Sequence, residues 1–132
     1  MAKNMNDILD NLKFLDSHEW ARMEDDGSVT VGISDHAQDL LGDIVFVELP
    51  ELGSKFNQGE EVAIVESVKA ASEVYCPVGG EILEVNYHLE DTPEIINSSP
   101  YGKGWFFKLK PVDITELDNL ISPEEYSLNC EV

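Results

Sequence analysis

The sequence predicts a mainly β domain, a sandwich or flattened barrel of short strands trimmed with short helices. Three observations carry this. Apolar runs are short, and several alternate with polar residues at the period of a half-buried strand. Gly, Pro and Asp-Gly signals separate them at close intervals. The chain has 132 residues of which 42% are hydrophobic, enough for one domain with a modest core.

The elements follow in order. Ile8, Leu9 and Leu12 share one face of a short helix over residues 4–12. Residues 13–20 are strand-like. EDDGS, from Glu24, is a turn. Val29, Val31 and Ile33 alternate with Thr30 and Gly32, which predicts a half-buried strand. SDHAQDLLG predicts a short helix, capped by Asp35 with Gln38 three residues on and closed by Gly42. DIVFVELP is a strand ended by Pro50, and residues 51–61 form a loop around Gly53 and Gly59. Strands are expected over residues 61–66 and 72–76. Pro77, Gly79 and Gly80 then turn the chain into EILEVNY. LEDTPEIINSSPYGKG is irregular, with Thr92-Pro93 starting one helical turn. In WFFKLKP, Trp105, Phe107 and Leu109 point one way, and Lys108 and Lys110 the other. Two capping-box patterns, Asp113 with Glu116 and Ser122-Pro123 with Glu125, predict a helical segment over residues 113–132.

Charge excludes some functions. Eight Lys+Arg against 27 Asp+Glu leave a net charge of -19. Such a field repels nucleic acid and anionic membrane surfaces, and it suits a partner with a basic docking patch. Cys76 and Cys130 form no CxxC pair, so a reducing compartment is expected, with Cys76 in the core. His18, His36 and His88 are scattered without a ligand motif, and no metal site is expected. No apolar run approaches a membrane span, and the first residues carry neither a signal-peptide core nor an arginine-rich presequence.

One residue stands apart. Lys69, in AIVESVKAASEVY, is the only Lys or Arg between Lys55 and Lys103, an interval with nine Asp or Glu residues. Gly59-Glu60 precedes one strand and Gly80-Glu81 precedes another, and Lys69 lies ten residues after Gly59 and eleven before Gly80, near the midpoint of two similar strand-sized segments. Two matched strands joined at the centre make a hairpin with Lys69 at its tip. The tip, SVKAAS, lacks the Asn-Gly or Asp-Gly of a tight turn, but its small residues leave a long side chain unobstructed. Glu66 and Glu73 favour the ammonium form, whereas a nucleophilic lysine needs burial or a cationic neighbour. Lys69 is therefore better read as a target for acylation than as a catalyst. No nucleophile–base pair or phosphate loop stands out elsewhere, so no catalytic residue is assigned and the chain is not expected to be an enzyme.

VESVKAAS followed by CPVGGEILEVN resembles the lipoyl-lysine segment of the glycine cleavage system H-protein family. SHEW, VGISDHAQDLLGDIVFVELPELG and INSSPYGKGWFFKLKP also resemble its segments, in the family's order, so the likeness runs from about Leu12 to the C-terminal helices. It departs from the family in FLD, before SHEW, and in YGKG, where many relatives carry acids. The resemblance implies a barrel-sandwich hybrid of two antiparallel sheets, a single lipoyl-carrier domain over residues 1–132, with residues 1–12 a variable extension. It implies lipoate in amide linkage to Lys69, within a lipoylation context of Glu66, Ser67, Val68 and Ala70. It implies a shuttle that takes an aminomethyl group from a pyridoxal-phosphate glycine decarboxylase to a tetrahydrofolate-dependent aminomethyltransferase. Dihydrolipoyl dehydrogenase then reoxidises the dithiol, and a lipoylating enzyme installs the group. Ser17, Glu19 and Glu73 match positions of a cleft that holds the loaded arm, where a carboxylate can hold a cationic amine. A monomer is expected, in a bacterial cytoplasm, or in the mitochondrial matrix if a presequence precedes the chain. Two alternatives stand beside this. Lipoyl or biotinyl domains of other multienzyme complexes share the hairpin but usually present DKA or MKM, where this chain has VKA. An H-like lipoyl donor is the other.

Overall fold

The computed structural model describes residues 12–130. Nine strands form two antiparallel sheets. The strands are β1 (Lys13–Phe14), β2 (Glu19–Met23), β3 (Val29–Ile33), β4 (Ile44–Glu48), β5 (Lys55–Phe56), β6 (Glu61–Ser67), β7 (Ala71–Tyr75), β8 (Gly80–Val85) and β9 (Phe107–Pro111). The larger sheet runs β1-β2-β3-β9-β8-β5 and the smaller β4-β6-β7. Four α-helices are described: α1 (Asp35–Leu41), α2 (His88–Asp91), α3 (Ile95–Ser98) and α4 (Pro123–Cys130), with a 3₁₀ helix at Ile114–Asn119 between β9 and α4. This is the mainly β, barrel-sandwich architecture expected. No described helix is long and apolar enough to cross a membrane.

The sheets meet in one main core. Val31, Ile82 and Leu109 from the larger sheet share it with Val47, Val65 and Val74 from the smaller. A second cluster joins Leu12, Phe14, Trp20 and Tyr126. In it the rings of Phe14 and Tyr126 stack at 4.1 Å, with 4° between their planes. The main chains of Phe14 and Ile121 exchange two hydrogen bonds, of 2.9 and 2.8 Å, which fasten the C-terminal segment to β1.

Several expectations are corrected. The helix expected over residues 4–12 lies outside the described residues up to residue 11, and Leu12 is buried without regular structure. The strand-like stretch 13–20 is interrupted by a turn, in which His18 takes φ 80°. β3 is buried on both faces, not half-buried. Its polar Thr30 donates to Glu24 Oε2, and a Cβ on Gly32 would fall 2.7 Å from the Trp20 indole. The N-cap of α1 is Ser34, whose hydroxyl accepts from the Ala37 amide, while Asp35 is the first helical residue and accepts from Gln38 Nε2. The loop over 51–61 contains β5, and α2 precedes the expected helical turn. Gly80 opens β8 in the other sheet, so only the first half of the proposed symmetry frames the hairpin. Trp105 lies before its strand, which starts at Phe107. Asp113 caps the 3₁₀ helix, but Glu116 reaches away to the Gly79 amide at 2.8 Å instead of closing a box.

Candidate functional site

Lys69 sits at the tip of the β6–β7 hairpin. Val65 pairs with Ser72 and Glu66 with Ala71, so the strands run in register up to the turn. The Ser67 amide donates to the Ala70 carbonyl at 2.7 Å. The Ala70 amide donates to Ser67 Oγ at 3.1 Å, so a hydroxyl stands where the backbone carbonyl would normally accept. Among the described non-glycine residues only His18 has a positive φ, so neither Val68 nor Lys69 takes the left-handed conformation of a primed turn. That is why the tip needs no Asn-Gly. Ser67 is buried, whereas Val68, Lys69 and Ala70 are exposed.

The tip rests on the segment between α1 and β4. Gly42 closes α1 with φ 79°, a conformation that favours glycine. The Lys69 side chain crosses it, with Cε 3.5 Å from where a Gly42 Cβ would stand. The Val68 amide donates to the Asp43 carbonyl at 3.1 Å. Asn97, from α3, reaches the same segment. Its Nδ2 donates to the Gly42 carbonyl and to Gln38 Oε1, both at 2.9 Å, and its Oδ1 accepts from the Ile44 amide at 3.0 Å. Sequence reasoning missed Asn97; its only signal was its place in INSSPYGKG.

Glu66 and Glu73 project from the exposed face of the hairpin, opposite Ala71 and Ile64. Among the described residues the ion pairs are Arg22–Glu24 and Lys108–Glu84, so neither acid is bonded to Lys69. The amine stands free on a tip floored by Gly42, between the exposed Val68 and Ala70. Nothing bulky blocks an acyl chain there, so a lipoyl amide fits.

Ser17 and Glu19 lie at the other end of α1. Glu19 pairs with Ile33, the residue before the Ser34 cap. Tyr75, six residues from Lys69, donates its amide to Glu19 Oε2 at 2.7 Å. By strand rise that point is about 20 Å from the tip. The Ser17 hydroxyl donates to Glu19 Oε1. Glu19 is only 1% exposed. Burial pushes its carboxyl above the usual range, and the bonds from Ser17 and Tyr75 pull back against it. Ser17 and Glu19 are thus brought together, while among the described residues no hydrogen bond or ion pair joins Glu73 to either.

Beside Glu19, His18 Nδ1 lies 2.6 Å from the Tyr126 hydroxyl, which is also 2.7 Å from Ser34 Oγ. Burial lowers the His18 pKa, His36 adds to this, and Asp16 opposes it. Cys76 is fully buried, its thiol donating to the Val78 carbonyl, and burial pushes its pKa up to about 12. No group of three His, Cys, Asp or Glu among the described residues could hold a metal ion.

Comparison with known proteins agrees with this arrangement. The family described as Glycine cleavage H-protein matches residues 12–131. The glycine cleavage system H protein of Saccharophagus degradans is 58% identical over 127 residues, covering 96% of this chain and 98% of its own. That of Teredinibacter turnerae is 58% identical with the same coverage. The crystal structure of a glycine cleavage system H protein from Mycobacterium marinum superposes with a TM-score of 0.85 at 36% identity, covering 93% of this chain and 98% of that one. The chain belongs to the glycine cleavage H-protein family, lipoyl carriers of glycine cleavage.

Proposed function

We propose that Lys69 bears lipoate through an amide on Nζ and that the chain works as the non-catalytic shuttle of glycine cleavage. The observation that carries this is an unpaired, exposed lysine on a braced hairpin tip, in a chain of this family. When bound, lipoate supplies a ring disulfide that takes up the aminomethyl group left from decarboxylated glycine. Glycine decarboxylase is the donor, a tetrahydrofolate-dependent aminomethyltransferase the acceptor, and dihydrolipoyl dehydrogenase restores the disulfide. The hairpin presents the attachment point, and tethering raises effective concentration once a partner docks. Glu66, Ser67, Val68 and Ala70 present the lysine to the lipoylating enzyme: Ser67 sets the turn, and Glu66 offers an exposed carboxylate beside it.

Ser17 and Glu19 form the far end of the loaded-arm cleft, with Glu73 on its outer rim. This buried carboxylate accepts from the Ser17 hydroxyl and from backbone amides, and has no cationic partner among the described residues, so its charge is poorly compensated. A cationic amine delivered there would supply the missing charge.

The test is intact-mass analysis of protein from its native source, with peptide mapping at Lys69, alongside the Lys69→Arg variant. Wild type should carry the lipoyl mass on Lys69. Lys69→Arg should fold, carry none, and give no glycine decarboxylation with the partner enzymes. A Lys69→Arg protein that still shuttles would refute the assignment.

A further inference from the structure

Given that Lys69 is the modified lysine, we infer that Asn97 is the positioning residue for the hairpin tip. Val68, Lys69 and Ala70 are all exposed, so core packing does not fix the tip. Beyond its own hairpin it is held by the Val68 amide on the Asp43 carbonyl and by Lys69 lying across Gly42. The carbonyl of Asp43 and the amide of Ile44 belong to one rigid peptide plane. Asn97 Oδ1 holds the N–H side of that plane at 3.0 Å, and its C=O side holds Val68. The preceding plane is held too, because Asn97 Nδ2 takes the Gly42 carbonyl at 2.9 Å. One side chain therefore fixes two consecutive peptide planes, and the second relays that constraint to the residue next to Lys69. Hydrogen bonds in such a chain polarise one another.

The residue type is specific. Both Nδ2 hydrogens face oxygens, of Gly42 and Gln38, and Oδ1 faces an N–H. Reversing the amide would set like against like at all three contacts. Aspartate has the same shape but cannot donate to Gly42. The bond to Gln38 in addition ties α3 to α1, so the floor under Lys69 is braced from two helices.

The experiment has two arms on the full chain. In the first, amide hydrogen exchange is followed by NMR on the unmodified protein. Asn97→Ala should speed exchange at Val68 and Ile44 by about fivefold relative to the interior of β6, the scale of one lost hydrogen bond. In the second, lipoate and ATP are supplied with a lipoate ligase. A misplaced lysine lowers kcat, whereas a partly unfolded carrier only raises the apparent KM; the expected result is a fall in kcat of about fivefold or more. Asn97→Asp should do at least as much, and it carries the test if Asn97→Ala fails to fold by circular dichroism. Exchange that rises uniformly through β6 and β8, or folded variants equal to wild type in Val68 exchange and kcat, would overturn the inference. A wild-type chain left unmodified at Lys69 would refute the lipoyl reading instead, and the exchange arm would still decide the role of Asn97.

Discussion

Glu19 shows how one side chain couples the site to solution conditions. Its folded carboxyl titrates above the unfolded one because burial penalises the charge. The stability it contributes is therefore full below the unfolded pKa, about 4.3, and is lost as pH rises through the raised folded value. Glu19→Gln removes that titration, and its amide can still accept from Tyr75 and donate to Ser17. Denaturant unfolding as a function of pH should show wild type losing stability relative to Glu19→Gln as pH rises above about 4.3. A constant difference would mean the buried charge is compensated already. At this scale the place of Lys69 at an exposed hairpin tip was legible, because the strands on either side of it are local. Asn97 was not. It joins residues 53, 55 and 59 positions away through three hydrogen bonds, and no local pattern encodes such a bridge.

The hairpin and its turn are the elements that matter most. The turn closes through the Ser67 hydroxyl, which also donates to the Ala70 carbonyl at 3.1 Å. Ser67→Ala should cost about 1 kcal/mol in denaturant unfolding, since the part-buried bond from the Ala70 amide to Oγ has no replacement on alanine. The same variant should slow lipoylation, and an unchanged free energy of unfolding would show the turn closes without the hydroxyl. Long alternating strands were legible as elements. β5 and α2, of two and four residues, were not, because so few positions carry no period to read. The misplaced cap of α1 has a similar cause: Ser34 and Asp35 are both good caps, and only the bond from Ala37 to Ser34 separates them.

Across the whole molecule, 27 acidic residues face eight Lys+Arg, a net charge of -19. Self-repulsion on that scale opposes compaction, and salt screens it. Moderate sodium chloride should raise the melting temperature, measured by calorimetry or circular dichroism. A fall would mean that ion pairs stabilise more than the repulsion costs. The mainly β architecture was legible from turn spacing and apolar alternation, whereas the division into two antiparallel sheets came from the family resemblance. Which strand joins which sheet was not, since Gly80 begins a strand that looks like the hairpin's continuation yet pairs elsewhere. The interior also protects the proposed cargo. Thiol–disulfide exchange is carried by the thiolate. With a pKa of about 12, Cys76 presents a thiolate fraction on the order of 10⁻⁵ at neutral pH. Cys76, with 0% exposure, is therefore both shut away and chemically silent toward the ring disulfide proposed at Lys69.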